Sequence, residues 1–107
     1  MIDFDPTQGD EIAKRRPAVV VSSAAVGVLD LRIIVPITGW QQHYARQPWL
    51  VRIKNTQRNG LSKDSAADAF QVKSVAVSRF VRRLGMLTAE QLETITAAIA
   101  LCIDYIP

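Results

Sequence analysis

The sequence predicts a small, mainly β domain of short antiparallel strands with one helix at its C-terminus. Two β-branched runs, at residues 18–21 and 31–37, are separated by turn-forming residues, as the short strands of one sheet usually are. Residues 88–104 instead carry apolar side chains at helical spacing. The chain has 107 residues, of which 49% are hydrophobic, so it can form one domain over residues 1–107 with a single core.

The first third of the chain predicts a loop and two core strands. Pro6 removes a backbone donor and Gly9 favours a turn, so a loop should precede the first core strand. Residues 18–21 form a continuous apolar run after Pro17, which predicts a strand buried on both faces. Residues 31–37 predict the second core strand.

The middle of the chain predicts a functional loop followed by short strands. Residues 39–48 are polar and aromatic without apolar periodicity, and a loop of this length in a compact domain is often functional. Residues 49–53 predict a strand, and the Asn-Gly pair at 59–60 predicts a turn. Residues 66–77 predict one bent strand or two short ones, with Ser74 at the bend.

The last part of the chain predicts a helical turn, a strand and the C-terminal helix. Residues 78–80 suggest a single helical turn, and residues 84–87 suggest a last strand. Thr88 and Gln91 fit a capping box, so a helix should begin directly after Thr88 and run to about Asp104. Its apolar stripe consists of Leu92, Ile95, Ile99 and Ile103.

Charge and composition are compatible with a polyanionic partner. The formal net charge is +3, and basic residues fall in groups at 14–16, 54–58 and 79–83. No apolar run approaches the ~18 residues that span a bilayer, and no signal peptide opens the chain, so we expect a cytoplasmic protein without membrane contact. Cys102 is the only cysteine and is expected to be a buried small hydrophobe.

The most specific feature of the sequence is the stretch at residues 4–22. It reads Phe-Asp-Pro-Thr-Gln-Gly-Asp-Glu-Ile-Ala-Lys-Arg-Arg-Pro-Ala-Val-Val-Val-Ser, an order that no common structural motif requires. The stretch resembles the signature loop and strand of the MazF/PemK family, the RNA-cleaving toxins of bacterial toxin–antitoxin pairs. Two further matches follow in order, Val-Pro-Ile-Thr at 35–38 and Gln-Val-Lys-Ser at 71–74. Relatives usually carry several more residues before the first strand, so this chain has either an abbreviated first strand or an internal start.

The resemblance implies both a fold and an activity. The fold is a small SH3-like antiparallel barrel of the MazF/PemK/CcdB type. The activity is cleavage of single-stranded RNA, including mRNA, without ribosome, metal or cofactor, leaving a 2′,3′-cyclic phosphate and a 5′-hydroxyl. The active unit in the family is a homodimer, and a cognate antitoxin protein blocks its RNA groove with an acidic tail. Leu101 and Ile106 lie off the main stripe of the last helix, and a second apolar face of this kind also favours a dimer.

Three residues are candidates for catalysis: Arg16, Thr38 and Glu11. Metal-free RNA cleavage needs a group that takes the proton of the 2′-hydroxyl, positive charge beside the phosphorane oxygens, and a proton for the leaving oxygen. The planar guanidinium of Arg16 suits the second task. Arg16 and Thr38 match the arginine and threonine at the core of the family's active site. Glu11 matches the loop glutamate, which could orient Arg16, act as a base, or simply pair with a basic neighbour at the surface.

The sequence departs from the family at one position of the site. Before the Gln-Val-Lys-Ser match, many relatives carry an acidic residue that is assigned in some of them to proton transfer. This chain has Phe70 there. The base could therefore be Glu11, Asp68 or His43, or activity could be weak.

A further set of residues is predicted to bind RNA. Trp40 and Tyr44 offer rings for stacking on unpaired bases, and Gln41 and Gln42 can bond base edges. His43 is the only histidine and could exchange protons near neutral pH, although the loop could equally be a solvated segment around a packed tryptophan. The basic members of the set are Lys14, Arg15 and Lys73.

Two other functions remain compatible with the sequence alone. The first is a CcdB-like toxin that inhibits a protein target such as gyrase and does not cut RNA. The second is a catalytically silent relative that only binds RNA, which the presence of Phe70 and the short N-terminus would allow. The presence of both Arg16 and Thr38 favours the nuclease.

Overall fold

The computed structural model of the protein describes residues 1–3 and 15–106, which form mostly antiparallel β-structure followed by one helix. The strands are β1 (Ile2–Asp3), β2 (Arg15–Arg16), β3 (Ala18–Val20), β4 (Leu31–Gly39), β5 (Leu50–Ile53), β6 (Ser65–Asp68) and β7 (Lys73–Ala76). The helix is α1 (Ala89–Cys102). The prediction of a mainly β chain with a C-terminal helix is confirmed. The loop predicted around Gly9, including Glu11 and Lys14, lies outside the described residues.

The longest strand, β4, is the centre of the sheet. β3 pairs with one edge of β4, while β6 and β7 share the other edge, and β5 pairs with β6. β1 and β2 form a separate two-stranded ladder. In the part of the chain that the structure describes, β5 pairs only with β6, so the sheet of the SH3-like barrel expected from the sequence is not closed. Closure would require the outer edge of β5 to pair with a strand at the other end of the sheet.

Pro36 marks the point where β4 changes partner along one edge. The amide of Ile37 donates to the carbonyl of Pro17 (3.0 Å) on the β3 side. The residue before Ile37 therefore directs its backbone groups to the opposite side of β4. Pro36 occupies that position and has no N–H to donate. β6 ends beside it at Asp68, and β7 begins at Lys73 after a single 3₁₀ turn. The ladder is therefore interrupted where it lacks a donor.

Both faces of β4 are buried. Val35 and Ile37 pack with Ile53 and with Ile95 of α1 in one cluster. On the opposite face, Ile34 packs with Ile2 and Val75 in a second cluster. Each fully buried aliphatic side chain of this size contributes about 1.5–3 kcal/mol. These contacts make β4 the rigid scaffold of the molecule.

The helix begins as the sequence predicts and ends slightly earlier. The Thr88 hydroxyl accepts from the amide of Gln91 (3.1 Å), and the Gln91 side chain accepts from the amide of Thr88 (2.8 Å), which completes the capping box. Ile95 and Ala98 are its buried residues. The helix ends at Cys102 because Asp104 adopts a left-handed φ of 58°, a conformation that aspartate tolerates better than most residues. No helix among the described residues is long and apolar enough to cross a membrane.

Several predictions about individual strands were wrong. Val20 in β3 is 44% exposed, because β3 is an edge strand with only one face covered, so the run at 18–21 is not buried on both faces. Residues 84–87 form no strand. The amide of Met86 donates to the carbonyl of Arg58 (3.0 Å), and Arg58 lies in a turn and not in a strand. The predicted bend at Ser74 lies earlier, in the 3₁₀ turn Ala69–Gln71 that separates β6 from β7.

Other local predictions agree with the structure. Strands occupy residues 50–53 and 31–39, and a 3₁₀ turn spans Val77–Arg79 where a single helical turn was expected. The loop predicted over residues 39–48 contains its own 3₁₀ turn, Gln42–Arg46. Cys102 is half-buried and free, where full burial was expected.

The turn at Asn59 and Gly60 is held by a buried side chain. Asn59 is only 5% exposed, and its Oδ1 accepts from the amides of Thr56 and Leu61, both at 3.0 Å. Its Nδ2 donates to the carbonyl of Lys54 (2.9 Å). Gly60 has a φ of 69°, and a Cβ atom there would overlap the backbone carbonyl of Leu84. One amide side chain thus organises the whole turn.

We expect Asn59→Ala to lower the free energy of unfolding by about 1–3 kcal/mol, because it removes three part-buried hydrogen bonds to two backbone amides and a carbonyl. Urea denaturation at neutral pH measures this loss. The matched control is Asn55→Ala, an exposed asparagine close by in the chain, whose backbone amide makes its bond to Asp64. Equal stabilities of the two variants would show that the Asn59 side chain does not hold the turn.

Candidate active site

A cleft of about 390 Å³ lies beside the C-terminal half of β4. Residues of six strands and turns border it, because β4 exchanges one neighbouring strand for another at this point. The bordering residues are Arg16, Pro36, Ile37, Thr38, Tyr44, Asp68, Gln71 and Lys73. The break in the ladder at Pro36 therefore opens a concave surface over polar side chains.

The structure brings together two residues predicted from the sequence, Arg16 and Thr38. β3 pairs with β4 so that Ala18 lies opposite Pro36, and the bond from Ile37 to Pro17 extends this register by one residue. One further step places Arg16 directly opposite Thr38. Cβ atoms of such cross-strand neighbours lie about 4.5–5.5 Å apart, so the guanidinium and the hydroxyl share one face of the sheet.

The opposite wall of the cleft comes from the junction of β6 and β7. Ile37 pairs with Ala67, so Asp68 follows at the level of Pro36, and Lys73 pairs with Ile34. Among the described residues, the cleft thus contains two cationic side chains and one carboxylate, together with a hydroxyl, a phenol and an amide. This net positive charge suits a phosphate group.

Tyr44 reaches the cleft from a turn that is held by aromatic packing. Its ring meets Trp40 edge to face at 5.9 Å and His43 at 4.7 Å. The guanidinium of Arg52 lies 5.0 Å from the centre of the Trp40 ring, and Arg52 pairs with Asp64 (3.2 Å). Arg52 covers one face of Trp40. Of these rings, Tyr44 is the one that lines the cleft.

The other predicted site residues lie outside the lining of the cleft. Arg15, Gln41, Gln42 and His43 are all exposed to solvent. Glu11 and Lys14 belong to the part of the chain that the structure does not describe. Phe70, which stands where relatives have an acidic residue, is 69% exposed on the turn between β6 and β7 and does not line the cleft.

Gln71 is a cleft residue that the sequence reasoning missed. It lies in the turn Ala69–Gln71 and lines the cleft beside Lys73. The match of residues 71–74 to the family motif was the available signal, because that motif begins with this glutamine. The sequence analysis predicted RNA binding for Lys73 of this motif and gave no role to Gln71.

The Asp64 carboxylate, directly before β6, connects this strand to β5 and to the residues that follow β5. The backbone amide of Asn55 (3.2 Å) and then the Arg52 guanidinium hold the pKa of Asp64 below its ordinary value. A carboxylate whose pKa is lower in the folded than in the unfolded chain stabilises the fold above its unfolded pKa. This stabilisation is lost as pH falls through the folded pKa.

We expect Arg52→Gln to raise the pKa of Asp64 only part of the way to its ordinary value, because the bond from the Asn55 amide remains. Carboxyl ¹³C titration by NMR measures this change, and Arg79→Gln is the matched control because Arg79 is not among the groups that shift Asp64. The variant should also lose less stability than the parent between neutral and acidic pH. An unchanged Asp64 titration would show that the ion pair does not form in solution.

Known proteins resemble this chain over nearly its full length. The profile of the family described as "PemK-like, MazF-like toxin of type II toxin-antitoxin system" matches residues 1–103. Endoribonuclease MazF9 of Mycobacterium tuberculosis is 33% identical over 110 residues, covering 96% of this chain and 90% of the relative. Endoribonuclease toxin MazF of Escherichia coli K12 is 36% identical over 100 residues, covering 92% and 83% respectively.

Solved structures agree with the fold. A MazE–MazF crystal structure (Form-III) from Deinococcus radiodurans superposes with a TM-score of 0.75 at 26% identity, covering 98% of this chain and 91% of that chain. Toxin MazF-mt6 of Mycobacterium tuberculosis has the same fold, with a TM-score of 0.75 at 22% identity and coverage of 91% and 94%. These relatives support the endoribonuclease interpretation over the gyrase inhibitor. The chain belongs to the PemK-like and MazF-like toxins of type II toxin–antitoxin systems.

Proposed function

We propose that this toxin cuts single-stranded RNA, including mRNA, without a metal or cofactor and leaves a 2′,3′-cyclic phosphate and a 5′-hydroxyl. The observation that carries the proposal is the placement of Arg16 opposite Thr38 in a cleft that also contains Lys73. Two relatives bear the name endoribonuclease, which supports the same activity.

In this proposal the cleft residues bind the phosphate at which the chain is cut. The planar fork of Arg16 can donate to two non-bridging oxygens, and the Thr38 hydroxyl can donate to one of them from the neighbouring strand. Lys73 adds positive charge from the other wall. Negative charge grows on these oxygens in the transition state, so fixed donors stabilise the transition state more than the bound RNA. Glu11 remains a proposed partner of Arg16.

Residues around the cleft are proposed to read the RNA sequence. Tyr44 borders the cleft and can stack on a base next to the cut phosphate. Gln41, Gln42 and His43 lie exposed on the same turn and can contact base edges. Further RNA contacts are proposed for Lys14, Arg15 and Trp40.

We expect Arg16→Ala to slow cleavage of labelled RNA in EDTA at least 10²-fold, since one fixed donor to developing charge contributes about 3 kcal/mol. The control is Arg79→Ala, because Arg79 follows β7 at the Leu31 end of β4, seven strand residues and roughly 23 Å from Thr38. Mapping the RNA ends checks for the cyclic phosphate. If Arg16→Ala folds like the parent and cuts within threefold of its rate, Arg16 is not part of the site.

The proposed partners are a second copy of the chain and a cognate antitoxin. A related MazF from Deinococcus radiodurans was crystallised with MazE, and a positively charged cleft suits an acidic antitoxin segment. RNA as substrate places the proposed site of action in the cytoplasm. The end of α1 and the residues after it expose apolar side chains that a second copy could cover, namely Leu101, Ile103, Tyr105 and Ile106.

We expect sedimentation at micromolar concentration to give about twice the chain mass of 11.8 kDa. Ile103→Glu should shift the protein towards monomer, because Ile103 is a 67% exposed residue of the apolar surface at the end of α1. Val28→Glu is the control, since Val28 is 90% exposed in a different loop. A monomeric parent protein would contradict the dimer, and equal effects of both substitutions would place the interface elsewhere.

A further inference from the structure

We propose that Asp68 is the general base of this enzyme and takes the proton from the attacking 2′-hydroxyl. The assignment rests on the proposed ribonuclease function and adds the residue that the family pattern does not supply, since the usual acidic position holds Phe70. The sequence left Glu11, Asp68 and His43 as alternatives. Glu11 lies outside the described residues, and between Asp68 and His43 the geometry of the cleft favours Asp68.

Asp68 is the only carboxylate among the described residues that line the cleft. It borders the same space as Arg16 and Thr38, which are proposed to bind the phosphate. His43 packs against Tyr44 but does not line the cleft, and Phe70 projects into solvent two residues after Asp68. A base must lie within hydrogen-bonding reach of the proton that it removes, so position favours Asp68.

The carboxylate of Asp68 is held in a fixed orientation. Its Oδ1 accepts from the amide of Phe70 (3.2 Å), which caps the turn between β6 and β7. The backbone on either side is anchored to β5, because Asp68 pairs with Leu50 and the amide of Ala69 donates to the carbonyl of Trp49 (2.9 Å). Oδ2 makes no hydrogen bond within the described residues, so it is available to a substrate hydroxyl. A preoriented base loses little conformational freedom when RNA binds.

The charges around Asp68 let a base and a phosphate share the cleft. Arg16 from β2 and Lys73 from β7 border it together with Tyr44 and Gln71. A carboxylate alone would repel the phosphate, but the described lining residues carry two cations against one carboxylate. The arrangement therefore places the base beside the phosphate without excluding RNA.

The proposed step accounts for every proton and bond. Asp68 takes the proton of the 2′-hydroxyl as the 2′-oxygen forms a bond to phosphorus. The bond between phosphorus and the 5′-oxygen breaks, and the leaving oxygen takes a proton from water. The products are a 2′,3′-cyclic phosphate and a 5′-hydroxyl, and Asp68 returns its proton to solvent.

The test is single-turnover cleavage by the full chain and by Asp68→Asn, measured across pH in EDTA. Asparagine keeps an oxygen that can accept from the Phe70 amide, so the turn should be preserved. We expect the rate to fall by about 10²- to 10⁴-fold. The acid limb of the pH–rate profile should also disappear. The other titratable groups of the described residues that line the cleft with Asp68, namely Arg16, Lys73 and Tyr44, are not carboxylic acids. Glu11→Gln, measured in the same way, should keep the acid limb if Asp68 is the base.

Two controls separate a base from a structural role. Asp30→Asn changes an exposed carboxylate at the other end of β4, roughly 20 Å from the level of Asp68, and should leave the rate unchanged. Binding of an uncleavable RNA with a 2′-deoxyribose at the cut site should be equal or tighter in Asp68→Asn, because a negative charge is removed near the phosphate.

Three outcomes decide the assignment. A large loss of rate with the acid limb removed and binding retained supports the base. An Asp68→Asn enzyme that cuts within threefold of the parent, or keeps the acid limb, overturns Asp68 while the ribonuclease function stands. Absence of cleavage by the parent chain overturns the proposed function and the base together.

Discussion

Burial of β4 on both faces is the constraint on which the rest of the structure depends. Val35 and Ile37 are fixed beneath α1, and Ile34 is fixed against β1 and β7, so this strand cannot shift register without exposing one of its two apolar clusters. Strands of two to four residues surround it and have little stability alone. β3, β6 and β7 are held by pairing with β4, and β5 is held in turn by β6.

The same strand creates the cleft by failing to pair at one point. Pro36 cannot donate towards β6 and β7, and the chain uses the gap to insert the turn that carries Gln71. Arg16 comes from one edge of β4 and Asp68 from the other, and both reach the face on which Thr38 lies. Reactive groups from distant parts of the sequence are thus positioned by backbone pairing and not by flexible loops.

Sequence reasoning could find the parts of the site that depend on local pattern. Arg16 directly precedes one predicted strand and Thr38 directly follows the other, so antiparallel pairing of the two strands brings these ends together. The role of Trp40 as a support for Tyr44 could not be predicted, because it depends on Arg52 arriving from β5. Short strands and one terminal helix favour a partly open barrel, but the strand order depends on long-range pairing that no short window contains.

The stack of Asp64, Arg52 and Trp40 beneath the turn Gln42–Arg46 has a consequence for how such a toxin can diverge. Its members hold the turn from behind, and none of them lines the cleft. Under the proposed function, substitutions on the outer side of the turn would alter which bases are accepted while the supporting stack and the cleft residues stay in place. Relatives with different RNA targets could then arise without loss of cleavage.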